Sequence, residues 1–147
     1  MTRETQQSLA LFMAVIHFSF YMTSQMFAAD YAAGGSPITA ETYGSAVYEI
    51  PAVFWIAVQM NASILGVVGC LCVVASKKYT RLGALIGFIG SCGILALFGL
   101  FGWMAEAQSH GAVLRYICWG PGLVIPAACG VLLGRIFWWG ENYERIV

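Results

Sequence analysis

Four long runs of apolar residues alternate with short polar segments along the 147-residue chain. The runs cover residues 9–27, 52–76, 82–104 and 117–139. Each is close to the roughly 20 residues that a helix needs to cross a hydrocarbon layer of about 30 Å. None shows the period-two alternation of a membrane β-barrel. The pattern predicts an all-α integral membrane protein: one domain over residues 1–147, built as a bundle of four transmembrane helices with an outer loop at 28–51.

The amino-acid composition also predicts a membrane protein. Hydrophobic residues make up 60% of the sequence and charged residues only 10%, whereas a soluble domain has about 25% charged residues. Lys plus Arg and Asp plus Glu number 7 each, so the net charge is zero. Without a basic excess we expect no nucleic-acid partner, and the first partner of the chain is the bilayer itself.

The positive charges predict how the helices are oriented. The turn between the second and third runs contains Lys77, Lys78 and Arg81, while the loop at 28–51 has no Lys or Arg. Because Lys and Arg collect in cytoplasmic loops, both termini are expected on the cytoplasmic side, or on the matrix side of an organelle. The membrane is then the inner membrane of a bacterium or of an organelle.

Small residues at regular spacing predict where the helices pack. Lipid gives no hydrophobic drive for helix association, so close approach of backbones must provide it. Three runs carry such a face, which we expect to be a helix interface: Ala62, Gly66 and Gly69; Gly83, Gly87 and Gly90; and Gly122, Gly130 and Gly134. Pro121 and Pro126 are expected to kink the last helix.

Polar side chains within the first two runs predict an intramembrane polar layer. His17, Tyr21 and Gln25 fall on one face of a helix, and Gln59 and Asn61 lie at comparable depth in the second run. Such residues are costly in lipid and are candidates for function. The alternative is that they only form hydrogen bonds between helices. No carboxylate joins this layer as a proton relay would prefer.

No pattern of a catalytic, cofactor or metal site appears in the sequence. The five cysteines lie inside the apolar runs without a CxxC pair, which fits packing better than chemistry. Glu106 and Arg115 flank the turn between the last two runs and are expected to form an ion pair there.

Three functions fit these observations. The first is a structural or accessory subunit of a larger membrane complex, without catalytic activity, whose partners are other membrane protein subunits or further copies. The second is a small homo-oligomeric transporter or channel that uses the polar layer. The third is a holin-like pore former or an immunity protein.

The orientation can be tested by reporter fusions or cysteine labelling. We expect the turn at 77–81 to be accessible from the same side as both termini, because it holds the densest positive charge. Labelling of a Gly34→Cys or Gly35→Cys variant from the cytoplasmic side would contradict this orientation.

Overall fold

The structure, a computed structural model, describes residues 1–32, 52–107 and 112–139, and within these ranges every regular element is an α-helix. The helices are α1 (Arg3–Ala32), α2 (Ala52–Ala75), α3 (Thr80–Ala107), α4 (Ala112–Trp119) and α5 (Pro121–Trp139). The first helix continues through residues 28–32, which the sequence assigned to the outer loop; the rest of that loop lies outside the described residues. The helix bounds of the second and third runs agree closely with the prediction.

The fourth apolar run differs from the prediction, because two helices stand where the sequence predicted one over 117–139. Gly120 separates them, and its N–H donates to the carbonyl of Tyr116 as α4 ends. Pro121 then occupies the first position of α5. At this position the backbone N–H has no partner within the helix, so a proline costs no hydrogen bond. Pro126 lies inside α5. The break therefore lies at the Gly120–Pro121 pair rather than inside a continuous helix.

Four segments are long and apolar enough to cross a membrane: Arg3–Met26, Phe54–Ala75, Thr80–Leu100 and Tyr116–Trp139. Their outer faces carry large apolar side chains, such as Phe12 at 65% exposure and Val131 at 64%. A soluble protein does not expose so much continuous apolar surface to water. The exterior of the bundle therefore matches lipid.

Helices α2 and α3 form the centre of the bundle. They pack closely against each other, α1 packs on α2, and α5 packs on α3, whereas α1 and α5 hardly touch. All four contribute to one buried cluster that includes Met13, Val73, Ala84 and Leu133. The bundle is therefore a chain of three interfaces, with its fourth side left partly open.

Glycines allow the backbones of α2 and α3 to touch. A methyl group on Gly69 would lie 2.5 Å from the carbonyl oxygen of Gly83, and would also strike the backbone of Gly87. One on Gly90 would lie 2.5 Å from the carbonyl oxygen of Ala62. Backbone atoms cannot rotate away as a side chain can. Any larger residue at these positions must push the two helices apart.

The glycines predicted to lie on α5 differ in how closely they pack. A methyl group on Gly122 would lie 2.7 Å from the ring of Phe98, so this glycine contacts α3 closely. One on Gly130 would lie 3.6 Å from Ser91, and one on Gly134 would lie 4.0 Å from Phe88, which are ordinary contacts. Gly87 is intermediate, because its nearest neighbour would be the side chain of Leu133 at 3.1 Å.

At one end of the bundle, arginine and glutamine side chains donate hydrogen bonds to the last carbonyls of neighbouring helices. The guanidinium of Arg3 donates to the carbonyl of Val73 at 2.6 Å and to the hydroxyl of Thr80 at 2.8 Å. The amide of Gln7 donates to the carbonyl of Val74 at 2.9 Å. Arg81 donates to the carbonyl of Phe137 at 3.3 Å. The last carbonyls of α2 and α5 lack helical partners, and these donors satisfy some of them at the negative end of each helix dipole.

Two glycine-to-alanine variants test the α2–α3 contact. Gly69→Ala should lower the free energy of unfolding by about 2–3 kcal/mol, in the range of overpacked cores, because its methyl group meets backbone atoms. Gly134→Ala is the matched control and should be neutral or slightly stabilising, since alanine has the higher helix propensity. Unfolding in mild detergent measures both. Equal stability of the two variants would show that α2 and α3 are not in backbone contact.

Candidate functional site

His17 lies in the middle of the bundle, on the face of α1 that meets both α2 and α3. Its side chain is 1% exposed and packs against Gly66, where any added methyl group would overlap the imidazole ring. Nδ1 lies 2.8 Å from the carbonyl oxygen of Met13, and Nε2 lies 3.0 Å from Oγ of Ser91. Gly66 thus provides the space through which His17 reaches α3.

The hydrogens of this group can be assigned by counting donors. A carbonyl only accepts, so Nδ1 of His17 carries the N–H that faces Met13, and Nε2 of a neutral imidazole is then an acceptor. The Ser91 hydroxyl also lies 3.1 Å from the carbonyl of Gly87, to which it can donate. In that neutral form, the one hydroxyl hydrogen of Ser91 faces two acceptors, Nε2 and the Gly87 carbonyl. Through these contacts His17 links α1 to α3.

Two further members of the predicted polar layer, Gln59 and Gln25, contact the opposite helix. The amide of Gln59, 6% exposed, donates to the carbonyl of Phe20 at 3.0 Å. The amide of Gln25 lies 3.7 Å from the sulfur of Met60. Tyr21 is partly buried, with its ring stacked near that of Phe18. The two glutamines join α1 to α2 between His17 and the end of α1 that carries Ala32.

Asn61 does not join the other members of the layer. It is exposed on the outer face of α2, where its amide donates back to the carbonyl of Ala57 at 2.8 Å. The reason is geometric: Gln59 and Asn61 are two residues apart, which turns them about 200° from each other around a helix. With Gln59 directed inward, Asn61 must point away from the bundle.

Two buried serines belong to this region although the sequence prediction omitted them. Ser91 is the partner of His17, and Ser63 is fully buried with a hydroxyl that has no hydrogen-bond partner among the described residues. A signal for Ser91 was present in the sequence, because it lies one helical turn after Gly87 on the close-packed face of α3. His17, Gln59 and Ser91 thus contact a neighbouring helix through hydrogen bonds, whereas the Ser63 hydroxyl has no such partner within the described ranges.

An apolar groove of about 590 Å³ separates α1 from α5. Met13 and Cys129 form its buried floor. Its walls are side chains of the two helices: Phe12, Ile16, Phe20, Val124, Ala128 and Leu132. The hydroxyls of Ser19 and Thr23 also line it, but they donate to the carbonyls of Val15 and Ser19 on their own helix. The groove is suited to an apolar occupant.

The side chains of Glu106 and Arg115 lie outside the described residues, so their ion pair stays a prediction. Within the described ranges, no three His, Cys, Asp or Glu side chains are grouped as metal ligands. All five cysteines are free thiols, and Cys70, Cys118 and Cys129 are buried.

The fold and these sites define a class of protein: a four-helix bundle with the length and composition of a membrane protein. No family model matches the chain, and no curated protein or solved structure is significantly similar to it. The class therefore depends on the helices themselves, and any function must be argued from their surfaces.

The link between α1 and α3 can be tested with a double-mutant cycle. We expect His17→Ala and Ser91→Ala to be non-additive by about 0.6 kcal/mol, and up to about 1.7 kcal/mol, as for other hydrogen bonds between membrane helices. His17→Ala also leaves a cavity against Gly66, which the cycle removes from the comparison. Unfolding in detergent gives the four free energies. Additive losses would mean that Nε2 and Ser91 do not interact.

Proposed function

We propose that the protein is a structural or accessory subunit of a larger membrane complex and has no catalytic activity of its own. The observation that carries the proposal is the open groove between α1 and α5. A four-helix bundle normally closes its fourth side by packing the first helix on the last. Here that side is open over the length of α1 from Phe12 to Thr23, about 16 Å at roughly 1.5 Å per residue.

The occupant that we propose is a transmembrane helix of another subunit. The groove is apolar, and its floor at Met13 and Cys129 is formed by side chains already packed in the core. The side chains of one helix face could enter it and pack as ridges into a groove. The two helices that edge it are the least buried: 28% of the 18-residue apolar stretch within Arg3–Met26 and 33% of that within Tyr116–Trp139 is buried, against 39% in the other two membrane segments. A partner at this edge would bury the least covered part of the bundle.

The arrangement of polar groups favours this role over transport. His17, Gln59 and Ser91 are held by hydrogen bonds to neighbouring helices or backbone, and Asn61 lies on the outer face. The contact of α2 with α3 is close enough that glycine backbones touch. These contacts favour a rigid unit that other subunits can pack against.

For the location, we propose the inner membrane of a bacterium or an organelle, with the arginine end of the bundle facing the cytoplasm or matrix. The support is that Arg3 and Arg81 both contact helix ends at this one end, and that Arg135 lies over the ring of Trp139 near the same end. Cationic side chains at the interface favour the cytoplasmic side.

Native mass spectrometry after gentle extraction tests the proposed role. We expect the chain to be recovered with other membrane proteins at fixed stoichiometry. Ala128→Phe should reduce that recovery at least about tenfold, which corresponds to roughly 1.4 kcal/mol, because a phenyl ring at an exposed groove position fills the space for the partner.

Ala96→Phe is the matched control, since Ala96 is an exposed alanine of α3 outside the groove. It should leave the recovery unchanged. If the wild type is extracted without other subunits, or if Ala128→Phe retains them all, the groove is not a subunit interface. Recovery of bound lipid in place of a protein would likewise reject the proposal.

A further inference from the structure

The outer face of α2 carries one polar side chain in an otherwise apolar stripe. The stripe, which we name the α2 stripe, consists of exposed residues at alternating spacings of three and four: Phe54, Ala57, Asn61, Ile64, Val68 and Leu71. All lie on one side of the helix, away from the α1–α5 groove, which no residue of α2 lines. Alternating steps of three and four approximate the period of about 3.5 residues that is typical of helices packed in left-handed pairs.

Asn61 lies well inside the apolar layer. It is seven residues from Phe54, the first residue of the membrane segment Phe54–Ala75, or about 10 Å along the helix. A side chain exposed at this depth meets hydrocarbon and not water. An amide placed there is costly unless its polar atoms are paired.

The amide of Asn61 is only partly satisfied. Within the part of the chain that the structure describes, its single hydrogen bond is the one from Nδ2 to the carbonyl of Ala57. An asparagine amide has two N–H donors and a carbonyl oxygen that accepts. One N–H and the carbonyl oxygen of this exposed side chain therefore have no partner among the described residues.

We propose that the α2 stripe is a homodimer interface in which Asn61 pairs with Asn61 of a second copy. A free donor and a free acceptor on one amide are self-complementary, so two copies related by a two-fold axis can exchange two N–H···O hydrogen bonds. On such an axis a residue meets its own counterpart. A partner of another sequence would need a polar side chain at the matching depth, whereas a second copy supplies it automatically.

The neighbours of Asn61 in the α2 stripe suit this pairing. Ala57 lies one turn away and is small, which lets the two helices approach closely enough for short amide side chains to meet. Ile64 and Val68 continue the stripe on the other side and are 44% and 45% exposed. An asparagine at one such position of a helix pair fixes register and favours a dimer. The pairing leaves the α1–α5 groove free, so this inference does not depend on the proposed function.

Cross-linking in membranes and the association constant in detergent test the proposal. Val68→Cys, in a Cys92→Ala background, should form a disulfide-linked dimer under mild oxidation. Ile89→Cys in the same background, 52% exposed on α3, should not. Asn61→Leu should weaken dimerisation about tenfold or more, because it removes both amide hydrogen bonds at similar size. Asn61→Gln, which keeps a donor and an acceptor, should retain most of it.

Dimers that cross-link equally at positions 68 and 89, or that persist unchanged in Asn61→Leu, would overturn the proposal. So would a wild-type chain that is monomeric in lipid, or an Asn61→Leu variant that loses a different protein and keeps its own copy. The Asn61→Leu variant should still bind the other subunits through the groove. The two variants separate this inference from the proposed function. Ala128→Phe should lose only the other subunits, and Asn61→Leu should lose only the dimer.

Discussion

Close contact between the backbones of α2 and α3 is the constraint on which the rest of the bundle depends. Gly69, Gly83 and Gly90 bring carbonyl oxygens and Cα atoms of the two helices together with no side chain between them. In lipid, where apolar burial gives little net drive, such packing replaces the hydrophobic effect. On the same face of α2, Gly66 leaves space for the imidazole of His17, which reaches across to Ser91.

That contact also explains why one side of the bundle, between α1 and α5, is open. With α2 and α3 paired centrally, α1 packs on one and α5 on the other, and all four helices contribute to the core cluster that includes Met13 and Leu133. The two outer helices hardly touch and leave the groove between them. The bundle therefore combines a closely packed centre with one open side.

The sequence was sufficient to predict the four membrane-length helices, because long apolar runs leave few alternatives in lipid. It also placed Gly69, Gly83 and Gly90 on faces that pack. It did not separate these from Gly130 and Gly134, because spacing shows which residues share a face but not how near the opposite helix comes. The interruption at Gly120 was missed for a related reason: a glycine next to a proline can be accommodated within a bent helix or can end one.

The candidate site was harder to predict than the fold. His17 and Gln59 were selected for their polarity, and both are buried. Asn61 was selected for the same reason but faces outward, since polarity alone does not fix direction around a helix. Ser91 was overlooked although it lies one helical turn after Gly87 on the close-packed face of α3; its spacing marks the face, and only the structure shows the contact with His17. The groove depends on the angle between α1 and α5, which no residue pattern encodes.

Solid-state NMR of the labelled protein in lipid bilayers is the most direct test of the central contact. The account predicts a through-space correlation between Cα of Gly69 and the backbone nitrogen of Gly87 at short mixing times, because no side chain separates these two backbones. The contradicting result would be a spectrum in which correlations within α2 and within α3 are strong and the one between Gly69 and Gly87 is absent. In that case the helices would be held apart, and the positions of His17, Ser91 and the groove would have to be derived anew.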